Sequence, residues 1–221
     1  MILNNFKKRF LTSLFLLLLF FLIFKSYIIL NYCLIVLGVL SILEFLNLSR
    51  KIFKNKLGLI LLNIFFISYI FIFCFIFLMF FNNTLLKYTL SIILFGCITS
   101  DIGGFIFGKL FKGPKLTKIS PNKTYSGVAG AFILALIFSC VFALIYKPSL
   151  ISFNETGLIF FVILISGISQ IGDLIISYFK RSSKIKDSGK LIPGHGGILD
   201  RIDGMIFVFP FYYILNFIIS L

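Results

Sequence analysis

Seven apolar runs, approaching or exceeding the ~18 to 20 residues that a helix needs to cross a bilayer, fill most of this chain and leave only short polar segments between them. They lie at about residues 10 to 25, 28 to 47, 57 to 81, 85 to 107, 128 to 146, 157 to 178 and 204 to 221. Hydrocarbon offers a backbone no hydrogen-bond partners, so a spanning segment has to satisfy its own N–H and C=O groups. The runs lack the apolar/polar alternation of a membrane barrel, and helices are the remaining solution. The expected fold is therefore an all-α, polytopic integral membrane helical bundle of about seven transmembrane helices, six to eight given the soft run ends. Hydrophobic residues make up 60% of the chain, against roughly 45 to 50% in soluble domains, and no separate soluble domain is expected.

The first run follows Lys7, Lys8 and Arg9, which is also how a signal peptide begins. No small-residue cleavage site follows it, and Lys25 leads straight into the next apolar run, so a retained first helix is expected. Cys33, Cys74, Cys97 and Cys140 are dispersed through the runs without the close pairing of a zinc or redox motif, and they read as buried bystanders.

Lysine and arginine fix the expected sidedness. If each run is one helix, the N-terminal side of the membrane receives eighteen of the twenty-one basic residues, in groups at 7–9, 50–56, 109–123, 180–190 and at Arg201. The opposite side or its boundary receives only Lys25, Lys87 and Lys147. By the positive-inside rule the N-terminus and the long basic loops are cytoplasmic, in an inner or plasma membrane. The net charge of +14 is thus a one-sided field. Attraction to anionic headgroups accounts for the groups at 7–9 and 50–56.

Acidic residues number only seven. Glu155 falls in an outer loop and reads as bland. Glu44 sits near the inner end of the second span, where an ionisable group is either functional or a hydrogen-bonded structural element. The other five, Asp101, Asp173, Asp187, Asp200 and Asp203, fall at inner helix ends or within the two long basic loops. Chemistry thereby divides the chain into N-terminal transmembrane helices, 1–100, and a catalytic transmembrane region, 101–221, with cytoplasmic loops 108–127 and 179–203. Carboxylates among lysines suit a site that holds both a divalent cation and polyphosphate. Mg²⁺ takes oxygen ligands, commonly one or two carboxylates with substrate phosphates and water, while Lys and Arg bind the remaining phosphate oxygens. Phosphoryl or nucleotidyl transfer uses both. Ordinary surface ion pairs are the plainer alternative.

In the first loop, Gly103, Gly104 and Gly108 thin the end of the fourth span, and Gly104 and Gly108 form a G-x-x-x-G suited to close helix packing. Ser120, Lys123 and Thr124 precede the fifth span, where free N–H groups and the helix dipole favour phosphate; helix capping is the alternative and is compatible with it. In the second loop, a sixth helix continued past the membrane carries Asp173, Ser177, Lys180, Arg181 and Lys184 on or near one face. Gly189, Pro193, Gly194, Gly196 and Gly197 then turn the chain and allow close backbone approach to a ligand. Asp200 and Asp203, three apart, project on one side of the last helix. Should the two helix ends meet, Asp173 and Asp200 bracket a metal ion, with Asp187 and Asp203 as further ligands or orienters. His195, the single histidine, is a proton shuttle, a phosphate donor or a turn-stabilising ring.

From Asp101 to the C-terminus, and most strongly in SYFKRSSKIKDSGKLIPGHGGILDRID at Ser177 to Asp203, the sequence resembles the phosphatidate cytidylyltransferases, or CDP-diacylglycerol synthases. The first half resembles them as a hydrophobic multi-span region, with Glu44 similar to a glutamate that the family often carries late in its second span. Ser126 and Ile102 depart from the family's usual residues. The resemblance implies that a lipid phosphate attacks the α-phosphorus of CTP and releases pyrophosphate. It implies metal ligation by Asp173 and Asp200, joined by Asp203, and catalytic roles for Lys184, Asp187 and His195. Substrate-binding roles fall to Ser120, Lys123, Thr124, Ser177, Lys180, Arg181, Lys190 and Arg201. The implied partners are CTP, phosphatidate, membrane lipids and a second copy of the chain, with Mg²⁺ and room for a second cation as cofactors and no nucleic acid. The rival expectations are a different CTP-dependent lipid cytidylyltransferase or polyprenol kinase, and a transporter or noncatalytic lipid-binding protein.

Overall fold

The computed structural model describes residues 18–19, 21–23, 25–117, 119–121, 123–145, 155–189, 191–192 and 196–219. Among the described residues the helices are α1 (Tyr27–Ile52), α2 (Lys56–Asn82), α3 (Thr84–Phe111), α4 (Tyr125–Ile145), α5 (Glu155–Ser182), α6 (Leu199–Ile202) and α7 (Met205–Ile219). Extended pairing is confined, among those residues, to single bridges at Lys115–Thr124 and Ile192–Gly196. The helices α1 to α5 are long and apolar enough to cross a membrane, and α7 is a shorter apolar helix that contains Pro210. The chain is an all-α, multi-pass membrane protein. The first predicted span, 10 to 25, lies largely outside the described residues.

Each later run is found as a helix, the last of them only 15 residues long among the described residues, and several outrun their hydrophobic limits. The α1 helix continues past residue 47 to Ile52, α3 past 107 to Phe111, and α5 past 178 to Ser182. Lysine and arginine are good helix formers and favour the negative end of the helix dipole, so Arg50 and Lys51, Lys109, and Lys180 and Arg181 extend these helices. Short polar side chains set several boundaries. Asn55 Oδ1 accepts the N–H of Leu57 at 3.1 Å at the start of α2, and Asn83 Oδ1 accepts that of Leu86 at 3.4 Å near the start of α3.

The described chain forms two compact units. The first joins the chain up to Cys74 with Phe179–Ile202, and the second joins Phe75–Tyr178 with Asp203–Leu221. This division by compactness interleaves segments that are far apart in sequence. In the first unit, Phe45 of α1 stacks on Phe66 of α2, with ring centroids 3.7 Å apart, and meets Phe179 edge-on at 5.4 Å. Ser183 donates to the Leu48 carbonyl at 3.1 Å, and Ser49 donates to Asn63 Oδ1 at 2.7 Å. These bonds give buried hydroxyls partners that hydrocarbon cannot supply.

Small residues organise the second unit. A Cβ on Gly103 would run into the Gly130 backbone, one on Gly130 would run into Phe107, and one on Gly127 would stand 2.8 Å from the Gly104 carbonyl. Helices α3 and α4 therefore approach backbone to backbone, as the G-x-x-x-G pattern predicts. Ser100 of α3 and Ser166 of α5 share a buried hydrogen bond of 2.8 Å. Further on, α7 enters an aromatic cluster in which Phe80 meets Tyr212 at 5.5 Å and Phe77 meets Phe209 at 5.2 Å. Large apolar side chains such as Ile28, Phe71, Leu144 and Phe160 point outward, as lipid contact allows.

Overpacking a tight helix contact costs about 1–3 kcal/mol, and at Gly103 the obstacle is backbone, which cannot rotate away. Gly103→Val is expected to lower the thermal unfolding midpoint in detergent by several degrees. Gly167→Ala, whose Cβ would find only the Phe132 ring at 3.9 Å, leaves it unchanged. Elution profiles of heated samples measure both.

Candidate active site

The polar groups of the second loop gather on two carboxylates in the first unit. Glu44, eight residues before the end of α1, is only 4% exposed. Its Oε2 accepts the Ser188 hydroxyl at 2.7 Å and the Leu199 N–H at 2.9 Å, and its Oε1 accepts the Ile198 N–H at 3.0 Å. Asp200 takes the neighbouring donors. Its Oδ2 accepts the N–H groups of Ser188 at 2.8 Å and Gly197 at 3.0 Å, and its Oδ1 accepts Lys180 Nζ at 2.8 Å. The glycines fit this arrangement, because a Cβ on Gly189 or Gly197 would collide with the Glu44 carboxylate. Where the sequence suggested that these glycines admit a ligand, the structure places the Glu44 carboxylate against Gly189 and Gly197.

Lys180 and Asp200 form a buried ion pair, their side chains 11% and 9% exposed. Burial pushes the Asp200 carboxyl up. The hydrogen bond and charge of Lys180 and the N–H groups of Gly197 and Ser188 outweigh it and hold the carboxyl below the usual carboxylate range.

The sixth span ends differently from its helical projection. Helix α5 stops at Ser182, and the Lys184 N–H donates to the Arg181 carbonyl at 2.9 Å while the Ile185 N–H donates to the Lys180 carbonyl at 3.0 Å. This is the Schellman pattern, whose left-handed position ordinarily goes to glycine. Lysine occupies it here, with φ 56° at Lys184, so this side chain leaves the helical face on which the sequence places it. Arg181 is exposed and donates to the Ile185 carbonyl at 3.2 Å. Asp187 and Arg201 lie near the surface. Lys190 and His195 lie outside the described residues.

In the second unit, Asp173 Oδ2 pairs with Lys123 Nζ at 2.6 Å, and its Oδ1 accepts the Ser177 hydroxyl at 3.2 Å. Lys123 also donates to the Gln170 carbonyl at 3.3 Å, a backbone partner that no sequence pattern announces. This pair is more open than the other, at 23% and 29% side-chain exposure. The first loop presents Lys123 by folding on itself. The Leu116 N–H donates to the Lys123 carbonyl at 2.8 Å, the Lys123 N–H donates to the Ser120 carbonyl at 3.0 Å, and the Ser120 N–H donates to Thr117 Oγ1 at 3.2 Å. Thr124 caps α4 by accepting the Gly127 N–H at 3.1 Å, and its hydroxyl lies 3.0 Å from that of Ser126. The capping role expected of it is therefore present.

Asp200 sits in the four-residue helix α6, whereas Asp203 sits in the turn before α7 and accepts the Gly204 N–H at 3.0 Å. The chain breaks its helix between the two, so they do not share the regular helical face that their spacing suggests. Asp203 is largely buried, its carbonyl within 2.8 Å of where a Gly172 Cβ would stand. Among the described residues no group of three or more His, Cys, Asp or Glu side chains is arranged to hold a metal ion. Asp173 and Asp200 are hard oxygen donors set beside lysines. That donor chemistry fits an ion held partly by substrate phosphates and water rather than in an all-protein cage.

A multi-pass membrane protein that pairs carboxylates with lysines in the last turns of α5, in α6 and just before α4 is a candidate for polyphosphate chemistry, and sequence comparison identifies its relatives. A model described as the cytidylyltransferase family matches residues 3–219, and the chain belongs to that family. It is 39% identical to the phosphatidate cytidylyltransferase of Bacillus subtilis over 133 residues, 58% of this chain and 48% of the relative. It is 41% identical to that of Rickettsia prowazekii over 133 residues, 58% of each chain. To that of Rickettsia typhi it is 40% identical over 145 residues, 63% of this chain and 64% of the relative. These matches span from about half to just under two thirds of the relatives' length.

Removing one partner of a buried ion pair strands the other, at about 3–5 kcal/mol. Asp200→Asn is therefore expected to destabilise the protein at neutral pH. Because the folded carboxyl titrates below the unfolded one, its contribution is complete above the unfolded pKa and is lost as pH falls through the folded value. Unfolding midpoints of wild type and Asp200→Asn, measured from pH 7 downward, should converge in the acid range.

Proposed function

We propose that this chain transfers a cytidylyl group from CTP to phosphatidate, giving CDP-diacylglycerol and pyrophosphate at the cytoplasmic face of the plasma membrane. Family membership and the names of its relatives support the reaction. The concentration of lysine and arginine in the loops that carry the aspartates supports the sidedness. The observation that carries the reading is the open Lys123–Asp173 pair, which offers a phosphate-binding cation just before α4 beside a metal-binding carboxylate in the last third of α5.

The proposed reaction forms a bond from a phosphatidate oxygen to the α-phosphorus and breaks the bond between that phosphorus and the oxygen bridging to the β-phosphate. The electron pair leaves with pyrophosphate. Phosphatidate is already anionic near neutral pH, so no strong base is required. Catalysis is then mainly positioning and charge stabilisation. Asp173, Asp200 and Asp203 are the proposed Mg²⁺ ligands, with room for a second cation; the bound ion would neutralise charge developing on pyrophosphate. When polyphosphate arrives, Lys123 exchanges Asp173 for a phosphate oxygen and frees the carboxylate. Lys180 makes the same exchange from Asp200 Oδ1, while Oδ2 keeps the two N–H groups that hold the loop. Ser120, Thr124, Ser177, Arg181, Lys190 and Arg201 add phosphate or ribose contacts, and Lys184, Asp187 and His195 act nearest the transferred group. A second copy of the chain and surrounding lipid are the proposed partners.

Purified protein in detergent, given labelled CTP, Mg²⁺ and a panel of phospholipids, should form CDP-lipid only with phosphatidate. A product with another acceptor, or none, overturns the assignment. Asp173→Asn is expected to abolish turnover. Lys184→Gly separates structure from chemistry, since relieving the left-handed lysine gains up to about 1 kcal/mol of stability while turnover falls. Unchanged kinetics in Lys184→Gly would remove that side chain from the site.

A further inference from the structure

Glu44 belongs to none of the site residues assigned above. It nevertheless accepts three hydrogen bonds, as many as are described for Asp200. An ionisable side chain in an apolar helix is costly and needs a return. The bonds of Glu44 are not spent on its own helix or on the aromatic core around Phe45. All three go to one loop: to Ser188 at its beginning and to Ile198 and Leu199 at its end.

That loop is held from both sides. Ser188 gives its hydroxyl to Glu44 and its N–H to Asp200. The consecutive N–H groups of Gly197, Ile198 and Leu199 go to Asp200, Glu44 and Glu44 in turn. Glycine at 189 and 197 is required because the Glu44 carboxylate fills the space in which a side chain would stand. Two bonds of this network fix Asp200 Oδ2, and through Ser188 and Gly197 they depend on the backbone path that Glu44 imposes.

We propose that Glu44 is a positioning residue, an intramembrane anchor that ties Ser188 to Ile198 and Leu199 and thereby sets the orientation of Asp200. Its catalytic consequence rests on the reaction proposed above. Glutamine cannot replace it. Whichever way the amide is turned, its NH₂ faces a backbone N–H, either that of Ile198 or that of Leu199, and neither can become an acceptor.

Two measurements on the full-length protein in detergent test this. Tryptic cleavage within 184–201 reads the anchor directly, and CTP–phosphatidate kinetics per folded protein read its use. Glu44→Gln is expected to speed cleavage in that segment while the remaining tryptic pattern stays as in wild type. It should lower kcat by about 10- to 100-fold, the scale of a small misplacement at a reacting centre, with KM for CTP little changed. Glu44→Asp, which keeps the charge on a shorter stem, should restore part of kcat. Gly197→Ala, which attacks the same contact from the loop side, should reproduce both effects. Wild-type cleavage and kinetics in Glu44→Gln would overturn the anchor. Faster cleavage with an unchanged kcat would overturn its positioning role. If wild type itself forms no CDP-lipid, the proposed reaction fails, and the cleavage arm decides the anchor alone.

Discussion

A charge or hydrogen-bonding group withdrawn from water has to be met by another part of the chain, and around an apolar helix the shortage is at its most severe. The two buried carboxylates of the first unit follow from this constraint. Glu44 collects a hydroxyl and two backbone N–H groups, and Asp200 collects a lysine and two more. Burial of Leu199 alone cannot give the backbone N–H groups of this glycine-rich loop partners. The two carboxylates do so by giving four backbone N–H groups defined acceptors. Loop 188–199 is in this sense folded around charge rather than around a core.

Glycine serves opposite ends in the two units. At Gly103, Gly127 and Gly130 the missing Cβ lets one helix backbone lie against another, so the benefit is packing. At Gly189 and Gly197 the missing Cβ admits a carboxylate, so the benefit is polar satisfaction. The flanking residues tell the two uses apart. The first group is set among Phe105, Phe107 and Phe132, and the second among Ser188, Lys190 and Asp200.

The positions of the long helices were legible because a hydrocarbon layer imposes a length and a composition that few other structures share. Their ends were less so: hydropathy marks where apolar residues stop, whereas Arg50, Lys109 and Arg181 continue the helix beyond that point. Aspartates among lysines suggested a polyphosphate site from residue type alone, and the Lys123–Asp173 pair brings together two residues chosen in that way. The helical projection that grouped Lys184 with Asp173 failed at one residue, because backbone hydrogen bonds at Arg181 and Lys180 end the helix in a left-handed turn. The duty of Glu44 was illegible for a different reason. Its partners lie 144 to 155 residues away, and two of the three are backbone N–H groups that carry no residue signature.

The two ion pairs differ in how readily they can be exchanged. Lys123 and Asp173 keep about a quarter of their side-chain surface exposed, so an incoming phosphate and cation meet partly hydrated groups, and little attraction is lost before new attraction begins. Lys180 and Asp200 are nearly sealed, and separating them without replacement would leave two charges in low dielectric. Under the proposed reaction, exchange at the second pair would be concerted, with a phosphate meeting Lys180 as a cation meets Oδ1. The N–H groups of Ser188 and Gly197 hold the other oxygen of the Asp200 carboxylate. In that reaction, a metal–nucleotide complex would bring both signs of charge, a phosphate oxygen for the lysine and a cation for the carboxylate of each pair.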